Sequence, residues 1–360
     1  MKKPLHGGDI YRNNVKYDFS TNINPLGTPQ SVLYAMKESL NSCSNYPDVN
    51  CEKLRDALAL YEKVSQNAIL CGNGAAELIF SLAFAVKPKK ALIQAPTFAE
   101  YEQALRAQGC EIEYFYTKKE SDFKVTREIL NQLDEELDMI FLCSPNNPTG
   151  IVIDSELLNE ICDTCKKNDI IIVVDECFQE FLEKKESIIP KISENENIVI
   201  LKAFTKIYAL AGIRLGYLVT YNEEIITKIQ NITQPWNVSL VAQAAGQASL
   251  KETEFVKKTI DYITKGREAL CENLNRLNFK VYPSKANYIL FEINEMVMGI
   301  EGKTFYEQCL EKGILIRDCS NYVGMNHGFY RIAVRTTEEN NALIKVFEEL
   351  VEKNDNRGNC

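Results

Sequence analysis

Short apolar segments alternate with amphipathic ones between about residues 66 and 220, and this alternation constrains the fold more than any other feature. Several apolar segments are hydrophobic on both faces, as in Ile170–Val174, which is typical of parallel strands covered by helices on both sides. The predicted strands are Ala68–Cys71, Ala91–Gln94, Ile112–Tyr116, Met139–Cys143, Ile170–Val174, Ile198–Leu201 and Gly216–Thr220. The predicted helices are Ala76–Ala85, Tyr101–Gln108, Arg127–Leu133 and Glu156–Lys167. We therefore expect a doubly wound α/β domain that binds its ligand outside the carboxyl ends of the strands.

The rest of the chain has a different pattern, and 360 residues are enough for about two domains. After residue 250, a long helical stretch precedes three short strand segments and a closing helix, which predicts a smaller α+β domain. These elements are Glu252–Leu277, Ala286–Ile293, Ile314–Arg317, Tyr330–Val334 and Glu338–Glu352. The first thirty or so residues are polar and rich in turns. We expect an N-terminal arm over residues 1–30, a large domain over 31–245 and a small domain over 246–360.

Composition excludes several classes of function. A net charge of −9 disfavours nucleic-acid binding, which normally needs a basic face. No apolar run reaches the roughly 18 residues of a membrane helix, and no export signal is recognisable, so a soluble cytoplasmic protein is expected. With only two histidines, His6 and His327, a multi-histidine metal centre is not expected.

The CxxC pair Cys162 and Cys165 lies in a helical stretch without a second pair, which favours buried thiols over a metal site.

Two polar loops follow predicted strands and are candidates for ligand contacts. The turn Gly72–Glu77 opens a helix, so its small residues let backbone N–H groups approach an anion at the positive end of the helix dipole. It matches neither the Walker nor the dinucleotide-binding motif, and a plain strand-to-helix connection is the alternative. The loop Ser144–Gly150 carries two asparagines that can donate hydrogen bonds, although its Asn-Pro and Thr-Gly pairs also form ordinary turns.

Three charged residues also lie at predicted strand ends. Asp175 ends a very apolar strand, where a carboxylate is costly unless it caps a helix, forms a salt bridge or meets a cationic ligand group such as a protonated ring nitrogen. Lys206 lies between an apolar strand and a glycine-containing turn, where it is either a solvated charge or a Schiff-base amine whose pKa is lowered by burial and nearby positive charge. Arg214, eight positions later, could bind a phosphate bidentately.

In this order, the motifs resemble the fold-type I pyridoxal-phosphate enzymes, aminotransferase class I/II, over nearly the whole chain. The resemblance implies the α/β PLP-dependent transferase-like fold, with a mostly parallel seven-stranded sheet sandwiched by helices plus a smaller α+β domain. It also implies pyridoxal 5'-phosphate as the cofactor and a homodimer with a shared active site. By the same resemblance, Lys206 is the catalytic residue that binds the cofactor covalently, Asp175 pairs with its ring nitrogen, Asn147 bonds its hydroxyl and Phe98 stacks on its ring.

The resemblance also assigns residues to the cofactor phosphate. They are Gly74, Ala75, Ala76, Thr205, Arg214 and, from the partner subunit, Tyr46. Thr205 is included because Ala203 occupies a position where relatives often have a hydroxyl group.

Further motifs resemble one branch of the family, the threonine-phosphate decarboxylases of cobalamin biosynthesis. They are His6–Asp9, Asp18–Gly27, Gln234–Val238 and Ala286–Tyr288. Phe178 stands where the related histidinol-phosphate aminotransferases have a tyrosine, and the decarboxylase branch also has Phe there. The resemblance implies decarboxylation of L-threonine O-3-phosphate to (R)-1-aminopropan-2-ol O-2-phosphate, a building block of the cobalamin nucleotide loop. The alternatives are a histidinol-phosphate aminotransferase or related aminotransferase, and decarboxylation of L-serine O-phosphate.

Such a substrate has two anionic ends, and the chain offers a set of polar residues for them. By resemblance, Arg331 binds the α-carboxylate. Candidates for the substrate phosphate are His6, Asn22, Asn24, Arg317 and Arg335. The even separation of Arg331 and Arg335 would keep both side chains on one face of a strand, although Arg335 could instead pair with a carboxylate of the N-terminal arm.

Overall fold

The computed structural model describes residues 6–293 and 303–358, with side chains described up to residue 352. The strands are β1 Tyr17–Asp18, β2 Ile69–Gly72, β3 Lys90–Ala95, β4 Glu111–Tyr116, β5 Met139–Cys143, β6 Ile171–Asp175, β7 Ile198–Ala203, β8 Gly216–Val219, β9 Lys280–Val281, β10 Tyr288–Glu292, β11 Ile314–Leu315, β12 Arg317–Asp318 and β13 Phe329–Ala333. The helices are α1 Gln30–Ser39, α2 Glu52–Glu62, α3 Ala75–Val86, α4 Ala99–Ala107, α5 Ser155–Lys167, α6 Glu223–Ile232, α7 Leu240–Ser249, α8 Thr253–Arg276, α9 Phe305–Glu311 and α10 Thr337–Gly358.

The large sheet has seven strands in the order β2-β8-β7-β6-β5-β3-β4. The pairs among β4, β3, β5, β6 and β7 are parallel, whereas β8 is antiparallel to both of its neighbours. The predicted mostly parallel seven-stranded sheet is therefore confirmed. The strand order also brings the carboxyl ends of β3, β5, β6 and β7 to one edge, where ligands of such sheets bind.

The central strands are buried on both faces. Along β5, Ile140 and Leu142 belong to the core on one side of the sheet, with residues of α5 and α8. Phe141, between them, points to the opposite core, with residues of α3, α4 and α6. Successive side chains of a strand point to opposite faces, so a strand between two helical layers must be apolar at every position. This accounts for the uninterrupted apolar runs in the sequence.

A second sheet of four antiparallel strands has the order β12-β13-β10-β9. Its core contains an aromatic cluster in which Phe279, Phe291, Phe305 and Phe347 contact one another at ring-centroid distances of 5.0–5.9 Å. The N-terminal segment joins this region through β1, which pairs in parallel with β11. The limits proposed for the arm and the two domains stay a prediction.

Two predicted elements differ from the observed ones. Residues Arg127–Gln132 form a 3-10 helix rather than the predicted α-helix. The predicted strand Ile314–Arg317 is two short strands with different partners, because β11 pairs with β1 and β12 pairs with β13. Five helices were not predicted from the sequence: α1, α2, α6, α7 and α9.

Candidate active site

A cavity of about 830 Å³ lies at the carboxyl ends of the parallel strands. It is bounded by the end of β3, by the loops that follow β5 and β7, by residues of the N-terminal segment and by the β12 region. Seven of the predicted site residues line it, namely His6, Asn22, Phe98, Asn147, Lys206, Arg317 and Arg331. The fold thus brings together residues that are up to 325 positions apart in the chain, from His6 to Arg331.

Lys206 lies three residues after β7 and is half-buried in the wall of the cavity. Its side-chain nitrogen is 6.0 Å from the ring centroid of Phe178. Burial, together with the positive charge of Arg331, lowers the pKa of Lys206 to about 8, while Cys177 and Asp175 oppose that shift. At pH 7 about a tenth of such an amine is unprotonated, which is the state that attacks an aldehyde, against far less for an ordinary lysine.

Asp175 ends β6 and is buried, and its charge acts on Lys206 although it does not line the cavity. Its Oδ2 accepts a hydrogen bond of 2.6 Å from the Tyr101 hydroxyl, and its Oδ1 accepts one of 2.9 Å from the backbone N–H of Cys177. Tyr101 is itself held in place by stacking on Phe141, with ring centroids 5.0 Å apart. The carboxylate therefore has a fixed orientation. Tyr101 was not selected from the sequence, although a tyrosine on the apolar face of α4 was a signal for it.

Asn147 follows β5 and is fixed by residues from the second sheet. Its Oδ1 accepts hydrogen bonds from a guanidinium N–H of Arg331 and, at 3.3 Å, from the Tyr322 hydroxyl. Arg331 also donates to the backbone oxygen of Ser20 at 2.7 Å. The two sheets and the N-terminal segment thus meet at this asparagine. Tyr322 and Ser20 were missed in the sequence, because only the fold places them here.

The loop that carries Asn147 is held by its neighbour Asn146, which is fully buried. The Asn146 amide donates to the backbone oxygen of Pro96 at 3.0 Å and to the Thr149 hydroxyl at 2.9 Å. Its side-chain oxygen accepts a hydrogen bond from the Thr97 hydroxyl at 2.7 Å. Of the two asparagines in this loop, one therefore shapes the backbone and the other faces the cavity.

The turn at the start of α3 lies against Arg214. Gly74 has φ +80°, and a Cβ added to it would lie 2.4 Å from Nη2 of Arg214. A Cβ on Gly216 would lie 2.5 Å from the backbone nitrogen of Ala75. Only glycine fits at these two positions, and the result is a guanidinium beside the N-terminal N–H groups of a helix of twelve residues. This arrangement suits a phosphate, so the site fits a phosphate-bearing cofactor.

Other predicted site residues lie outside the cavity wall. Thr205 is buried beside Lys206, and Tyr46 is 78% exposed and stacks on Trp236 with ring centroids 4.4 Å apart. Asn24 donates to the backbone oxygen of Ile207 at 2.7 Å and to the Thr259 hydroxyl at 2.9 Å, so it ties the N-terminal segment to the loop after Lys206.

Arg335 requires a correction. The shared-face argument does not hold, because β13 ends at Ala333, two residues before Arg335. The Arg335 guanidinium pairs at 3.0 Å with Glu339, in the first turn of α10, rather than with a carboxylate of the N-terminal arm. Nor does Arg335 line the cavity.

Arg317 begins β12 and is positioned by two neighbours. It donates to the Asn321 side chain at 2.8 Å, and its guanidinium lies 4.9 Å from the centroid of the Tyr322 ring. The cavity also contains an acidic residue that was missed in the sequence, Glu100, whose Oε1 is 3.1 Å from Nε2 of His6. The cavity therefore combines two carboxyl groups, those of Glu100 and Glu102, with several cationic side chains.

Three further findings concern membrane-spanning helices, metal sites and the cysteine pair Cys162 and Cys165. Within residues 6–293 and 303–358, no helix is both long and apolar enough to cross a membrane. No cluster of three or more His, Cys, Asp or Glu side chains in that part of the chain could hold a metal ion. Cys162 and Cys165 are buried, and burial raises the pKa of both thiols. Their thiols therefore pack as part of the core around α5.

The fold and the arrangement of Lys206 and Asp175 are those expected of a fold-type I pyridoxal-phosphate enzyme. The sequence profile described as "Aminotransferase class I and II" matches residues 14–347. The chain therefore belongs to the class I and II aminotransferase family, and pyridoxal 5'-phosphate is its cofactor.

Similar proteins fall into two groups. The chain is 36% identical over 335 residues to a threonine-phosphate decarboxylase of Salmonella typhimurium, which covers 93% of this chain and 91% of that protein. It is 30% identical over 336 residues to a histidinol-phosphate aminotransferase of Methanocaldococcus jannaschii, covering 92% and 88%. Among solved structures, a histidinol-phosphate aminotransferase from Clostridium acetobutylicum has a TM-score of 0.86 at 30% identity, covering 93% and 99%. An L-threonine-O-3-phosphate decarboxylase from Porphyromonas gingivalis has a TM-score of 0.81 at 26% identity, with the same coverage.

Proposed function

We propose that the protein decarboxylates L-threonine O-3-phosphate to (R)-1-aminopropan-2-ol O-2-phosphate and CO2, a reaction of cobalamin biosynthesis. The observation that carries this proposal is a cavity in which Lys206 lies with two arginines, Arg317 and Arg331. A substrate with an amine and two anionic ends matches that set of charges. The 36% identity to a threonine-phosphate decarboxylase supports the same reaction.

The family resemblance assigns the residues that would hold the cofactor. Lys206 would bind the aldehyde, Asp175 would pair with the ring nitrogen, Asn147 would bond the ring hydroxyl and Phe98 would cover the ring. The phosphate would lie among Gly74, Ala75, Ala76, Thr205 and Arg214. When bound, the cofactor supplies a sink for the electron pair released at the substrate α-carbon. The fixed Asp175 carboxylate supports that role, because a negative charge favours protonation of a neighbouring ring nitrogen.

The residues that hold the substrate would decide which bond breaks. Arg331 would bind the α-carboxylate, and its hydrogen bonds to Asn147 and Ser20 keep the guanidinium in one orientation. Arg317, His6 and Asn22 would bind the phosphate. Two anchored ends fix the rotation of the substrate about its α-carbon, so they select the bond that is aligned for cleavage.

After CO2 leaves, the α-carbon needs a proton. Lys206 suits that step, because an amine with a pKa of about 8 can both hold and give up a proton near neutral pH. Phe178 packs edge-on against Tyr288, with ring centroids 5.0 Å apart, so an apolar ring occupies a position where aminotransferase relatives have a tyrosine. This difference supports the decarboxylase over the aminotransferase.

The test is a product assay on the protein loaded with pyridoxal phosphate. We expect O-phospho-L-threonine to release CO2 and yield the amino-alcohol phosphate without an added 2-oxo acid. Histidinol phosphate with 2-oxoglutarate serves as the matched alternative, favoured by the TM-score of 0.86 to a histidinol-phosphate aminotransferase. Glutamate formation from that pair, without CO2 release from O-phosphothreonine, would assign the aminotransferase activity instead. O-Phospho-L-serine, one methyl group smaller, tests the depth of the pocket.

We also propose that the active form is a homodimer in which Tyr46 contacts the cofactor phosphate of the partner subunit. The support is an aromatic pair at the surface, Tyr46 with Trp236, which are 78% and 46% exposed. Mixing inactive Lys206→Ala and Tyr46→Ala proteins should restore part of the activity, because each mixed dimer then contains one intact site. Absence of any recovery in a confirmed mixed dimer would contradict the shared site.

A further inference from the structure

Glu100 has no role in the function proposed above, yet it lies in the wall of the same cavity as Lys206. It is the second residue of α4, and its side chain is only 12% exposed. Its Oε1 lies 3.1 Å from Nε2 of His6. Its Oε2 is buried and has no hydrogen-bond partner among the described residues. One oxygen of this carboxylate therefore lacks a donor that would stabilise its charge.

The groups that face Glu100 come from four parts of the fold. They are His6 from the N-terminal segment, Lys206 after β7, Arg317 in β12 and Tyr322 after β12. Burial raises the pKa of Glu100 to about 7, although a hydrogen bond from its own backbone and the charges of Arg317 and Lys206 oppose the shift. Burial, together with Arg317, lowers the pKa of His6 below its usual 6.5. Near neutral pH the carboxyl group therefore lies close to its own titration point, beside an imidazole that is mostly uncharged.

A phosphate monoester is mainly a dianion at neutral pH, since its second pKa is about 6. An ionised Glu100 would repel such a group, whereas a carboxylic acid would not. We propose that Glu100 takes up one proton from solvent when a tetrahedral dianion binds beside His6 and Arg317. Glu100 is then a residue that determines the specificity of this part of the cavity for dianions. The balance is simple: one dianion and one proton enter, the carboxylate becomes a carboxylic acid, and no other bond changes.

This inference rests on the proposed function in one respect, namely that the phosphate end of the substrate lies beside His6 and Arg317. It goes further by coupling anion binding to a proton at a named carboxyl group. The coupling makes the site bind dianions more tightly at lower pH, even where the charge of the anion itself no longer changes.

The test uses the protein loaded with pyridoxal phosphate and sodium sulfate, because sulfate stays a dianion throughout the range from pH 6.5 to 9. Calorimetric titration should give a sulfate Kd that rises about tenfold per pH unit above about pH 7.5, the slope for one linked proton. Titration in buffers of different ionisation enthalpy should show uptake of about one proton at pH 8. In Glu100→Gln, whose amide is always neutral, both the slope and the proton uptake should disappear while sulfate still binds.

Two matched variants separate Glu100 from its neighbours. Glu102→Gln changes the other acidic residue of α4 that lines the cavity. Glu102 is already paired with Arg106 at 2.6 Å, so this variant should keep the parental slope. His6→Asn should also keep the slope, because the carboxyl group remains. A slope that persists in Glu100→Gln would overturn the proposal, and its disappearance in His6→Asn would then assign the proton to the imidazole. Absence of sulfate binding by the parent protein would also overturn it, since no dianion subsite would then exist.

The result of the sulfate titration does not depend on which reaction the protein catalyses. If the sulfate linkage is present but O-phosphothreonine is not decarboxylated, the proposed function fails and the role of Glu100 stands. If decarboxylation occurs and the linkage is absent, the proposed function stands and the role of Glu100 fails.

Discussion

Lys202 and Lys206 lie four positions apart, and the protein gives them opposite surroundings. Lys202, in β7, is only 2% exposed, with its side-chain nitrogen 2.8 Å from Glu62 and 3.0 Å from Glu180. Burial alone would lower its pKa, but these carboxylates outweigh burial and raise it. At Lys206, burial is the largest cause of a fall in pKa to about 8, and the positive charges of Arg331 and Arg214 add to it. Burial thus acts in the same direction on both amines, and the comparison teaches that the neighbouring charges decide whether that effect is reversed, as at Lys202, or strengthened, as at Lys206.

The carboxylates around Lys202 also differ from one another. Burial by itself would raise the pKa of Glu180, but Lys202 and Lys185 outweigh it and lower the value to about 2. Burial raises the pKa of Glu176 to about 7, although Lys202 opposes the shift. Glu176 accepts a hydrogen bond from the backbone N–H of Ile188 at 3.0 Å, but its Oε2 has no partner among the described residues. The cluster therefore contains one strongly ionised carboxylate and one that titrates near neutrality.

The largest expected effect is that of Lys206→Ala on turnover. Removing the amine should lower decarboxylation by about a thousandfold or more, roughly 4 kcal/mol in activation free energy, because covalent binding and proton transfer are both lost. The measurement is product formation together with the visible absorbance of the bound cofactor. If Lys206→Ala still catalysed decarboxylation, Lys206 would not be the catalytic amine, and its contrast with Lys202 would have no functional meaning.

The Lys206 amine should contribute nothing favourable to the free energy of unfolding. In the cofactor-free protein, the lowered pKa of Lys206 means that the folded state binds fewer protons than the unfolded state between pH 8 and 10.5. Stability therefore rises with pH through that window, and the charged amine is a cost below it. Lys206→Met without cofactor at pH 7 should be at least as stable as the parent in urea unfolding.

The second prediction concerns Lys202→Met, which should lower the free energy of unfolding by about 3–5 kcal/mol. The reason is that Glu62 and Glu180 would stay buried after losing their shared cation. Denaturant unfolding of the protein loaded with cofactor measures the loss. A change below about 1 kcal/mol would show that the two lysines do not differ in structural role.

The third prediction is a pH effect at Glu176. A carboxyl group whose pKa is raised from 4.5 to about 7 on folding binds protons more tightly in the folded state, so stability falls as pH rises through that window. Glu176→Gln, which keeps an acceptor for the N–H of Ile188, should escape this loss. We expect it to be about 1–3 kcal/mol more stable than the parent at pH 8 and little different at pH 4. Equal differences at both pH values would rule out ionisation as the cause.

The smallest expected effect is that of Lys185→Met. Lys185 contacts Glu180 at 2.6 Å but is 43% exposed, so water screens the pair. The cost to unfolding should be below about 1 kcal/mol. A cost as large as that of Lys202→Met would mean that the outer cation, rather than the buried one, holds the cluster together.

The sequence predicted the large sheet well, because strands that are covered on both faces must be apolar throughout. It predicted helices less completely: α2 and α7 have short or mixed apolar faces, and their packing partners come from distant parts of the chain. The strand Ile314–Arg317 was predicted as one element, since an apolar run does not reveal that its two halves pair with different partners.

The candidate site divides in the same way. Lys206, Asp175 and Asn147 could be selected from the sequence, because each directly ends or follows a recognisable strand. Tyr101 and Glu100 could not, since their importance comes from contacts with side chains 74 and 94 positions away. Arg335 was selected from the sequence but does not belong to the site. Its even separation from Arg331 would place both side chains on one face of a strand only if the strand continued, and β13 ends at Ala333.

The order of the motifs along the chain determined the fold and the cofactor, because parallel strands bring whatever follows them to one edge of the sheet. Only the tertiary structure decided which of two lysines four residues apart carries a lowered pKa, and which carboxyl groups face the cavity. Those properties depend on charges brought close by folding, and Coulomb interactions fall with distance in space rather than with separation in sequence.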